Sequence, residues 1–181
     1  MKIIQLLLNG AAIIKSDIFE DNRGFFTRLF CQKELSKLHN SKSIDQINYS
    51  FTKKKGTIRG LHFQKNPFEE IKIVRCLKGK IFDVIVDMRK NSKTYLKWHG
   101  EILSENNHKM LYVPKGFAHG FQTLEDDCMT IYFNNEFYNP QAELGIKFDD
   151  KLLNIKWPIK MTAISDKDLN FESLNDISIV H

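Results

Sequence analysis

Short apolar or alternating segments, separated by turn-forming residues, dominate the chain from residue 72 onward. They recur about every 8 to 12 residues, which is the spacing of antiparallel strands in sandwiches and barrels. The segments are residues 72–77, 81–86, 95–103, 110–113, 117–124 and 128–133. No strand–helix alternation supports a parallel sheet. The pattern predicts an all-β antiparallel sandwich or barrel with a few short helices.

Local signals refine this prediction at four places. Lys78-Gly79-Lys80 lies between two strand segments and predicts a hairpin. Residues 32–39 carry apolar side chains three apart and predict one short surface helix. Residues 1–14 contain an Asn-Gly turn and predict two short strands, not a signal peptide. The segment from residue 161 is polar and predicts turns with a little helix. Without repeats or linkers, residues 1–181 form one predicted domain.

Composition excludes several classes of function. No apolar run reaches the roughly 20 residues that cross a bilayer. The net charge of +5 permits an anionic ligand, but no basic stripe with interleaved aromatics indicates nucleic-acid binding. Cys31, Cys76 and Cys128 are odd in number and far apart, so neither a disulfide framework nor a cysteine zinc site is expected. A reducing cytoplasm is the predicted location, with neither nucleic acid nor a membrane as partner.

Two segments carry side chains that suit chemistry. Residues 56–64 contain Arg59, His62 and Gln64, and on a strand the last two point to one face. Residues 114–119 match the pattern PxGxxH, which places His119 at the end of a turn. A metal-binding site of this type also needs His-x-His and a following Glu, whereas this chain has His62-Phe63-Gln64. No metal is therefore expected.

A metal-free pocket with a neutral imidazole and a phenol suits proton transfer. An imidazole has a pKa near neutrality, and one placed acid or base accelerates a reaction by about 10²–10⁴-fold. A carboxylate behind the imidazole would fix its tautomer. Asp166 and Asp168 are the candidates, and sequence separation does not choose between them.

Taken together, these residues resemble the nucleotide-sugar 3,5-epimerases typified by dTDP-4-dehydrorhamnose 3,5-epimerase. The motifs that carry the resemblance are DNRGFF at 21–26, RGLHFQ at 59–64, KIVR at 72–75, VIVDMR at 84–89, PKGFAHGF at 114–121, YNP at 138–140 and SDKD at 165–168. The resemblance implies a cupin-type jelly roll without metal or cofactor. It also implies a homodimer that exchanges N-terminal strands.

The implied reaction inverts carbons 3 and 5 of a nucleoside-diphosphate 4-keto sugar through an enolate. The residues that match the family's catalytic positions are His62 as base, Asp168 as its partner, Tyr132 as acid and Lys72 near the ketone. The residues that match its substrate-binding positions are Arg23 and Arg59 for the diphosphate, Gln46 and Asn48 for the nucleoside, and Phe26, His119, Glu143 and Lys167. The implied pathway supplies sugars for surface polysaccharides.

One position departs from the family pattern. Arg28 stands where a glutamate is usual, and an arginine can only donate hydrogen bonds. A fork of donors fits the O6 and N7 edge of guanine, so a GDP-linked 4-keto-hexose or 4-keto-heptose is an alternative to a dTDP-linked sugar. The hypothesis that Arg28 faces water is equally open.

Alternatives to double epimerisation remain at this point. The same base and acid would serve an enzyme that inverts only carbon 3 or only carbon 5. A sugar 3,4-ketoisomerase would arrange acid and base differently around the same enolate. Two alternatives come from other classes of protein. A non-catalytic nucleotide-sugar-binding cupin would have lost the base or the acid. A metal-dependent oxygenase would need the metal ligands that this chain lacks.

Overall fold

Two antiparallel β-sheets packed face to face form the body of the molecule in a computed structural model, which describes residues 1–39 and 43–174. The strands are β1 (Lys2–Gln5), β2 (Ala12–Lys15), β3 (Ile18–Asp21), β4 (Gly24–Thr27), β5 (Gln46–Thr52), β6 (Ile58–Gln64), β7 (Lys72–Lys78), β8 (Lys80–Asp87), β9 (Trp98–Ser104), β10 (Lys109–Val113), β11 (Phe117–Thr123), β12 (Cys128–Asn134) and β13 (Glu143–Gly145). The helices in the described residues are α1 (Gln32–His39) and α2 (Asp166–Leu169). The predicted all-β sandwich is confirmed.

The chain alternates between the two sheets. The six-stranded sheet has the order β1-β2-β10-β7-β12-β5, and the five-stranded sheet has the order β13-β6-β11-β8-β9. From β5 to β8, and again from β10 to β13, each strand lies in the opposite sheet to the one before it. This connectivity is that of a jelly roll. It places residues distant in sequence on facing walls.

Alternation along β8 explains how one strand serves two apolar layers. Ile81 and Ile85 point between the sheets, where they pack with residues of both. Val84 and Val86 point the other way and pack under the C-terminal segment with Leu153. A third apolar cluster joins α1 to the outer face of the six-stranded sheet. The sandwich therefore buries apolar side chains in three separate clusters.

The predicted hairpin around Gly79 is wrong. Strand β7 pairs with β10 and β12, whereas β8 pairs with β9 and β11, so the turn carries the chain from one sheet to the other. Gly79 has φ +77°, and a Cβ there would lie 2.8 Å from the Cys128 sulfur. A tight glycine turn between two strands has the same local sequence signature at a hairpin and at a corner of a sandwich.

The other local predictions agree more closely with the structure. Helix α1 begins and ends at the predicted residues, and the side chain of its Leu35 is fully buried. Strands β1 and β2 pair as the predicted N-terminal hairpin. Strand β9 begins at Trp98 rather than at residue 95, because Leu96 adopts a positive φ of 59° in the preceding turn. Within the described ranges, no helix has the length and apolar character needed to span a membrane.

A separate hairpin, formed by β3 and β4, carries exposed aromatic side chains. Phe19 and Phe26 are each 65% exposed, and their rings lie 6.5 Å apart. Exposed apolar residues also line the outer face of β5, namely Ile47, Tyr49 and Phe51. Large apolar patches of this kind mark interaction surfaces.

Candidate active site

A cavity of about 640 Å³ opens between the two sheets. Strands β6 and β11 of the five-stranded sheet form one wall, and β5, β7 and β12 of the six-stranded sheet form the other. The cavity has the size and mixed polar lining of a small-ligand site. Its lining includes nine predicted site residues, which are Gln46, Asn48, Arg59, His62, Lys72, His119, Tyr132, Glu143 and Asp168.

His62 is paired with a carboxylate from the far end of the chain. Its Nε2 lies 2.8 Å from Oδ1 of Asp168, which leaves Nδ1 for a ligand. The side chain of Asp168 is 6% exposed, whereas that of His62 is 31% exposed toward the cavity. His62 is therefore paired with Asp168, the partner that the family resemblance implies, and not with Asp166, which sequence separation alone left open.

Local sequence explains how this pair is brought together across 106 residues. The backbone N–H of Ile58 donates to the carbonyl of Ala163, which docks the C-terminal segment against the start of β6. Ser165 caps α2 and accepts from the N–H of Asp168. The second carboxylate oxygen of Asp168 accepts from the backbone N–H of Gly60 at 2.9 Å. Both oxygens of the carboxylate are therefore fixed.

Two glycines let the histidine-bearing strands approach each other closely. Gly60 has φ +106°, and a Cβ on it would lie 2.7 Å from Gly120 Cα. A Cβ on Gly120 would lie 2.6 Å from the carbonyl oxygen of Arg59. Beside this contact, His62 and His119 occupy paired positions of β6 and β11. Glycine is required at both points because any side chain would separate the strands.

The hydrogen bonds to Asp168 change its acidity. Burial raises the pKa of the Asp168 carboxyl group, but the hydrogen bonds from His62, the Gly60 N–H and Ser165, together with the charge of His62, lower it by more. The net pKa lies below the ordinary value of 3.8. Asp168 is therefore an anion at neutral pH and stabilises positive charge on His62.

Tyr132 projects from the opposite wall. It lies on β12 of the six-stranded sheet, and its hydroxyl oxygen accepts a hydrogen bond from Thr130 at 2.9 Å. Burial, with a smaller contribution from the negative charge of Asp83, raises the pKa of the Tyr132 phenol to about 12, although the hydrogen bonds with Thr130 and Ser50 lower it. The phenol therefore keeps its proton at neutral pH and can donate it.

A second histidine–carboxylate pair lies beside the first. His119 Nε2 is 2.8 Å from Oδ1 of Asp83, and the ring centroids of His119 and Tyr132 are 6.1 Å apart. Asp83 is fully buried, and its Oδ2 has no hydrogen-bond partner among the described residues. Sequence analysis missed Asp83, although one signal was available. It is the lone carboxylate between Ile81 and Ile85 on the inward face of β8.

Lys72 is the cationic group on the six-stranded wall. It begins β7, its side chain is 15% exposed, and its Nζ lies 3.1 Å from Oε1 of Glu70. Glu70 also lines the cavity and was not predicted from the sequence. An ammonium group in this position offers hydrogen-bond donors to an oxygen of a bound ligand.

Arg59, Gln46 and Asn48 surround one part of the cavity. Arg59 donates through Nε to the hydroxyl of Thr52 at 3.0 Å and through Nη2 to the carbonyl of Phe51. Among the described residues, its Nη1 makes no hydrogen bond. Gln46 donates to Asn48 at 3.0 Å on the facing strand β5. These donors and acceptors fit a phosphate and a polar ring system.

Glu143 forms a small network at the cavity rim. Its Oε2 accepts from the Tyr138 hydroxyl at 2.6 Å and from the Lys167 ammonium group. Burial raises the pKa of Glu143, but these two hydrogen bonds hold it below its usual range. Lys167 itself is 54% exposed and does not line the cavity. Sequence reasoning missed Tyr138.

An aromatic residue of the C-terminal segment packs beside His62. The rings of Phe171 and His62 are 5.5 Å apart and nearly perpendicular. Phe171 packs over Gly145, where a Cβ would lie 2.2 Å from its ring. No sequence motif pointed to Phe171, because its role depends on the path of the terminal segment.

Besides Lys167, three predicted substrate-binding residues lie outside this cavity. Arg23 and Phe26 belong to the β3–β4 hairpin and line a shallow groove of their own. Arg23 is 85% exposed and bonded to Asp21 at 2.6 Å. Arg28 follows the hairpin, and its Nη1 donates to Glu34 of α1 at 2.6 Å. Within one chain, these residues do not meet the cavity.

The described residues hold no group of three or more His, Cys, Asp or Glu side chains arranged to bind a metal ion. What the cavity does hold is an imidazole paired with a carboxylate, a protonated phenol from the facing sheet, and a lysine at the start of β7. This set can remove a proton from one side of a bound molecule and return one from the other side.

Comparison with known proteins agrees with this chemistry. The family model of dTDP-4-dehydrorhamnose 3,5-epimerase matches residues 5–176. An enzyme of that name from Shigella flexneri is 41% identical over 177 residues, covering 97% of each chain.

Solved structures are similar over nearly the whole chain as well. The dTDP-4-dehydrorhamnose 3,5-epimerase of Bacillus anthracis, with TDP and pyrophosphate bound, has a TM-score of 0.92 and 43% identity, covering 96% of this chain and 99% of its own. A dTDP-6-deoxy-D-glucose-3,5-epimerase of Legionella pneumophila in complex with dTDP-4-keto-L-rhamnose has a TM-score of 0.93 and 37% identity, covering 98% and 95%. The chain therefore belongs to the dTDP-4-dehydrorhamnose 3,5-epimerase family of nucleotide-sugar isomerases.

Proposed function

We propose that this protein inverts carbons 3 and 5 of a dTDP-linked 4-keto-6-deoxyhexose. One observation carries the proposal: His62 and Tyr132 enter one cavity from opposite sheets. An epimerisation needs a base on one face of the sugar and an acid on the other. The Legionella relative binds dTDP-4-keto-L-rhamnose, which is a compound of this class.

The residues divide the reaction between them. The ketone at carbon 4 makes the neighbouring C–H groups acidic, and His62 takes the proton while Asp168 stabilises the resulting imidazolium. The electron pair of the broken C–H bond moves into an enolate whose oxygen faces Lys72. Tyr132 returns a proton to the opposite face and is reprotonated from solvent, and the His62 imidazolium releases its proton to solvent. After the sugar turns to present the second carbon, the same groups serve again.

The nucleotide in this proposal is dTDP rather than GDP. The guanidinium of Arg28 already donates to Glu34, so part of the donor fork that would recognise guanine is occupied. The Bacillus relative was solved with TDP bound. Calorimetry with dTDP and GDP tests this choice. Tighter binding of dTDP is expected, and tighter binding of GDP would overturn it.

We further propose that the protein is a homodimer whose site combines two chains. Arg23 and Phe26 lie on an exposed hairpin away from the cavity of their own chain, and the outer face of β5 exposes Tyr49 and Phe51. A second copy would cover this apolar surface and bring the hairpin to the partner's cavity.

A mixing experiment tests the shared site. If Arg23 serves the partner's cavity, Arg23→Ala and His62→Asn chains exchanged in equal amounts form mixed dimers with one intact site. At a substrate concentration far below KM, where the roughly tenfold weaker binding of Arg23→Ala limits its rate, activity should then rise to about one quarter of the wild-type level. If Arg23 serves its own chain, mixing restores nothing. Sedimentation of the wild-type protein checks that a dimer is present.

The reaction itself is tested by nuclear magnetic resonance in heavy water. The protein is incubated with dTDP-4-keto-L-rhamnose or its C3,C5 epimer, and deuterium is followed at each carbon. Label at carbons 3 and 5 supports double epimerisation, whereas label at one carbon supports a single-site epimerase. Movement of the ketone would indicate a ketoisomerase. No label with intact binding would indicate a non-catalytic nucleotide-sugar-binding protein and would contradict the proposal.

The wider setting is part of the same proposal. Residues 1–181 act as one catalytic domain, in the cytoplasm that the separated cysteines predict, and the product supplies a surface-polysaccharide pathway. No metal or cofactor takes part in the proposed steps, and metal analysis of the active protein checks that prediction.

A further inference from the structure

A carboxylate that the proposed reaction does not use lies in the cavity beside Lys72. Glu70 and Lys72 are two residues apart, both line the cavity, and their side chains are 12% and 15% exposed. Oε1 of Glu70 is 3.1 Å from the Lys72 Nζ. Oε2 of Glu70 accepts a hydrogen bond from Asn134 Nδ2 at 2.6 Å. Each carboxylate oxygen therefore has its own partner.

The neighbouring strand holds this segment in place. Asn134 on β12 is the register partner of Lys72 on β7. The next residue, Asn135, accepts a hydrogen bond from the backbone N–H of Ile71 at 2.8 Å. Two successive asparagines thus bond to the side chain of Glu70 and to the backbone between Glu70 and Lys72. Both asparagines are buried, with 3% and 5% exposure.

This arrangement restricts where the ammonium group can lie. Lysine has a flexible four-carbon chain and three N–H donors, so an unanchored Nζ samples many positions. One bond to Glu70 fixes the group and leaves two N–H bonds for a ligand. A buried ion pair contributes little net stability because both charges lose solvation, so its retention in a cavity calls for another explanation.

We propose that Glu70, held by Asn134, is a positioning residue that fixes the Lys72 ammonium group at the ketone oxygen of the bound sugar. The inference rests on the proposed function, because it needs a reaction in which charge develops on that oxygen. A donor that is already in place stabilises the developing charge without reorganisation. Glu70 contacts Lys72 and not the reacting carbon, so its effect passes through Lys72.

Three substitutions separate position from charge. Glu70→Gln keeps an acceptor for Lys72, and a flipped Asn134 side chain can turn its unpartnered Oδ1 toward the new amide. We expect its kcat to stay within about threefold of wild type. Glu70→Asp keeps the negative charge but places it one methylene farther from Lys72, and Glu70→Ala removes the carboxylate that pairs with Lys72. For both we expect kcat to fall about tenfold, with KM within about twofold.

A double-mutant cycle with Lys72→Met tests whether the effect of Glu70 on kcat passes through Lys72. If Glu70 acts through Lys72, the loss from Glu70→Ala disappears in the Lys72→Met background, a coupling of about tenfold. Glu69→Ala is the matched control, because it removes a carboxylate one residue earlier outside the cavity lining. It should change kcat by less than about twofold. Thermal unfolding of every variant identifies those that fail to fold, and Glu70→Asp then takes the place of Glu70→Ala in the cycle.

The outcomes separate this inference from the proposed function. With an active wild-type enzyme, an undiminished Glu70→Ala loss in the Lys72→Met background overturns the positioning role and leaves the epimerase proposal standing. A Glu70→Gln variant as impaired as Glu70→Ala overturns it too, since charge and not position would then matter. A wild-type protein without solvent exchange at carbon 3 or 5 overturns the proposed function itself.

Discussion

The inter-sheet cavity and the β3–β4 hairpin carry two halves of the predicted site in very different surroundings. In the cavity, His62, Asp168 and Lys72 are each paired and held between strands. On the hairpin, Arg23 and Phe26 are largely exposed, Arg23 is paired with Asp21, and Phe26 packs beside Phe19. The groups assigned to proton transfer are thus fixed by the sheets of one chain. The hairpin residues assigned to the substrate line only a shallow groove away from that cavity.

This contrast separates two physical requirements. Proton transfer needs atoms held within hydrogen-bond distance of the reacting carbon, and buried strands provide that precision. Nucleotide binding gains from apolar area and diffuse charge, which a surface hairpin provides once a partner covers it. Substitutions in the cavity should therefore change kcat, and substitutions on the hairpin should change binding.

The largest expected effect follows from His62→Asn. Asparagine keeps a polar side chain but cannot take the proton, so kcat should fall by about 10⁴-fold with little change in dTDP affinity. Steady-state kinetics and calorimetry measure the two quantities. The control is His108→Asn, which lies outside the cavity lining. A loss of nucleotide affinity equal to the loss of kcat would break the separation between cavity and hairpin.

Asp168→Asn should have the next largest effect. The amide removes the negative charge behind the imidazole and can favour the wrong tautomer, so kcat should fall by about 10³-fold. Asp166→Asn is the matched control two residues earlier, because Asp166 is exposed and outside the cavity lining. Comparable losses in both variants would show that α2 contributes through folding and not through the His62 pair.

Tyr132→Phe should lower turnover by about 10²-fold, because the phenol that donates the proton is absent. Its pKa of about 12 keeps Tyr132 protonated at neutral pH, so wild-type activity should not decline between pH 7 and pH 9 through ionisation of Tyr132. Tyr112→Phe is the control, since that phenol bonds to the carbonyl of Leu38 away from the cavity. Unchanged turnover in Tyr132→Phe would remove the phenol from the mechanism.

Arg23→Ala should weaken dTDP binding by about tenfold and leave kcat within about twofold at saturating substrate. The control is Lys53→Ala, which removes an exposed positive charge from a turn. Calorimetry measures the affinity. A fall in kcat at saturation would place Arg23 among the reacting groups and would remove the contrast between the two regions.

The smallest expected effect concerns acid stability. The pKa of Asp168 is lower in the folded protein than its value of 3.8 in the unfolded chain. The ionised carboxylate therefore stabilises the fold fully at pH values above 3.8, and this stabilisation is lost as the pH falls through the lowered pKa of the folded state. Wild-type protein should lose more stability than Asp168→Asn between pH 7 and pH 3. Thermal unfolding at both pH values measures the difference, and equal losses would mean that the pair contributes nothing to the fold.

The sequence predicted much of the fold because strand alternation and turn residues are local signals. Helix α1 and most strands lie where those signals place them. The turn at Gly79 was predicted wrongly, because pairing partners are chosen by packing between sheets and not by the turn itself. The same limitation explains why the sequence alone left Asp166 and Asp168 as alternatives.

The site was predictable where its residues lie in compact motifs. His62 and Gln64 share a face of β6 as strand periodicity predicts, and both line the cavity. Asp83, Glu70 and Phe171 were missed because each acquires its contact only when distant segments pack together. Glu70 approaches Asn134 across 64 residues, a relation that no local pattern encodes.

The rate of solvent deuterium uptake at carbons 3 and 5 in His62→Asn, compared with Tyr132→Phe, tests the central claim most directly. The account predicts no uptake above background in His62→Asn and continued uptake in Tyr132→Phe with impaired formation of the epimer. Wild-type uptake in folded His62→Asn protein would contradict the assignment of His62 as the base and with it the two-sided mechanism.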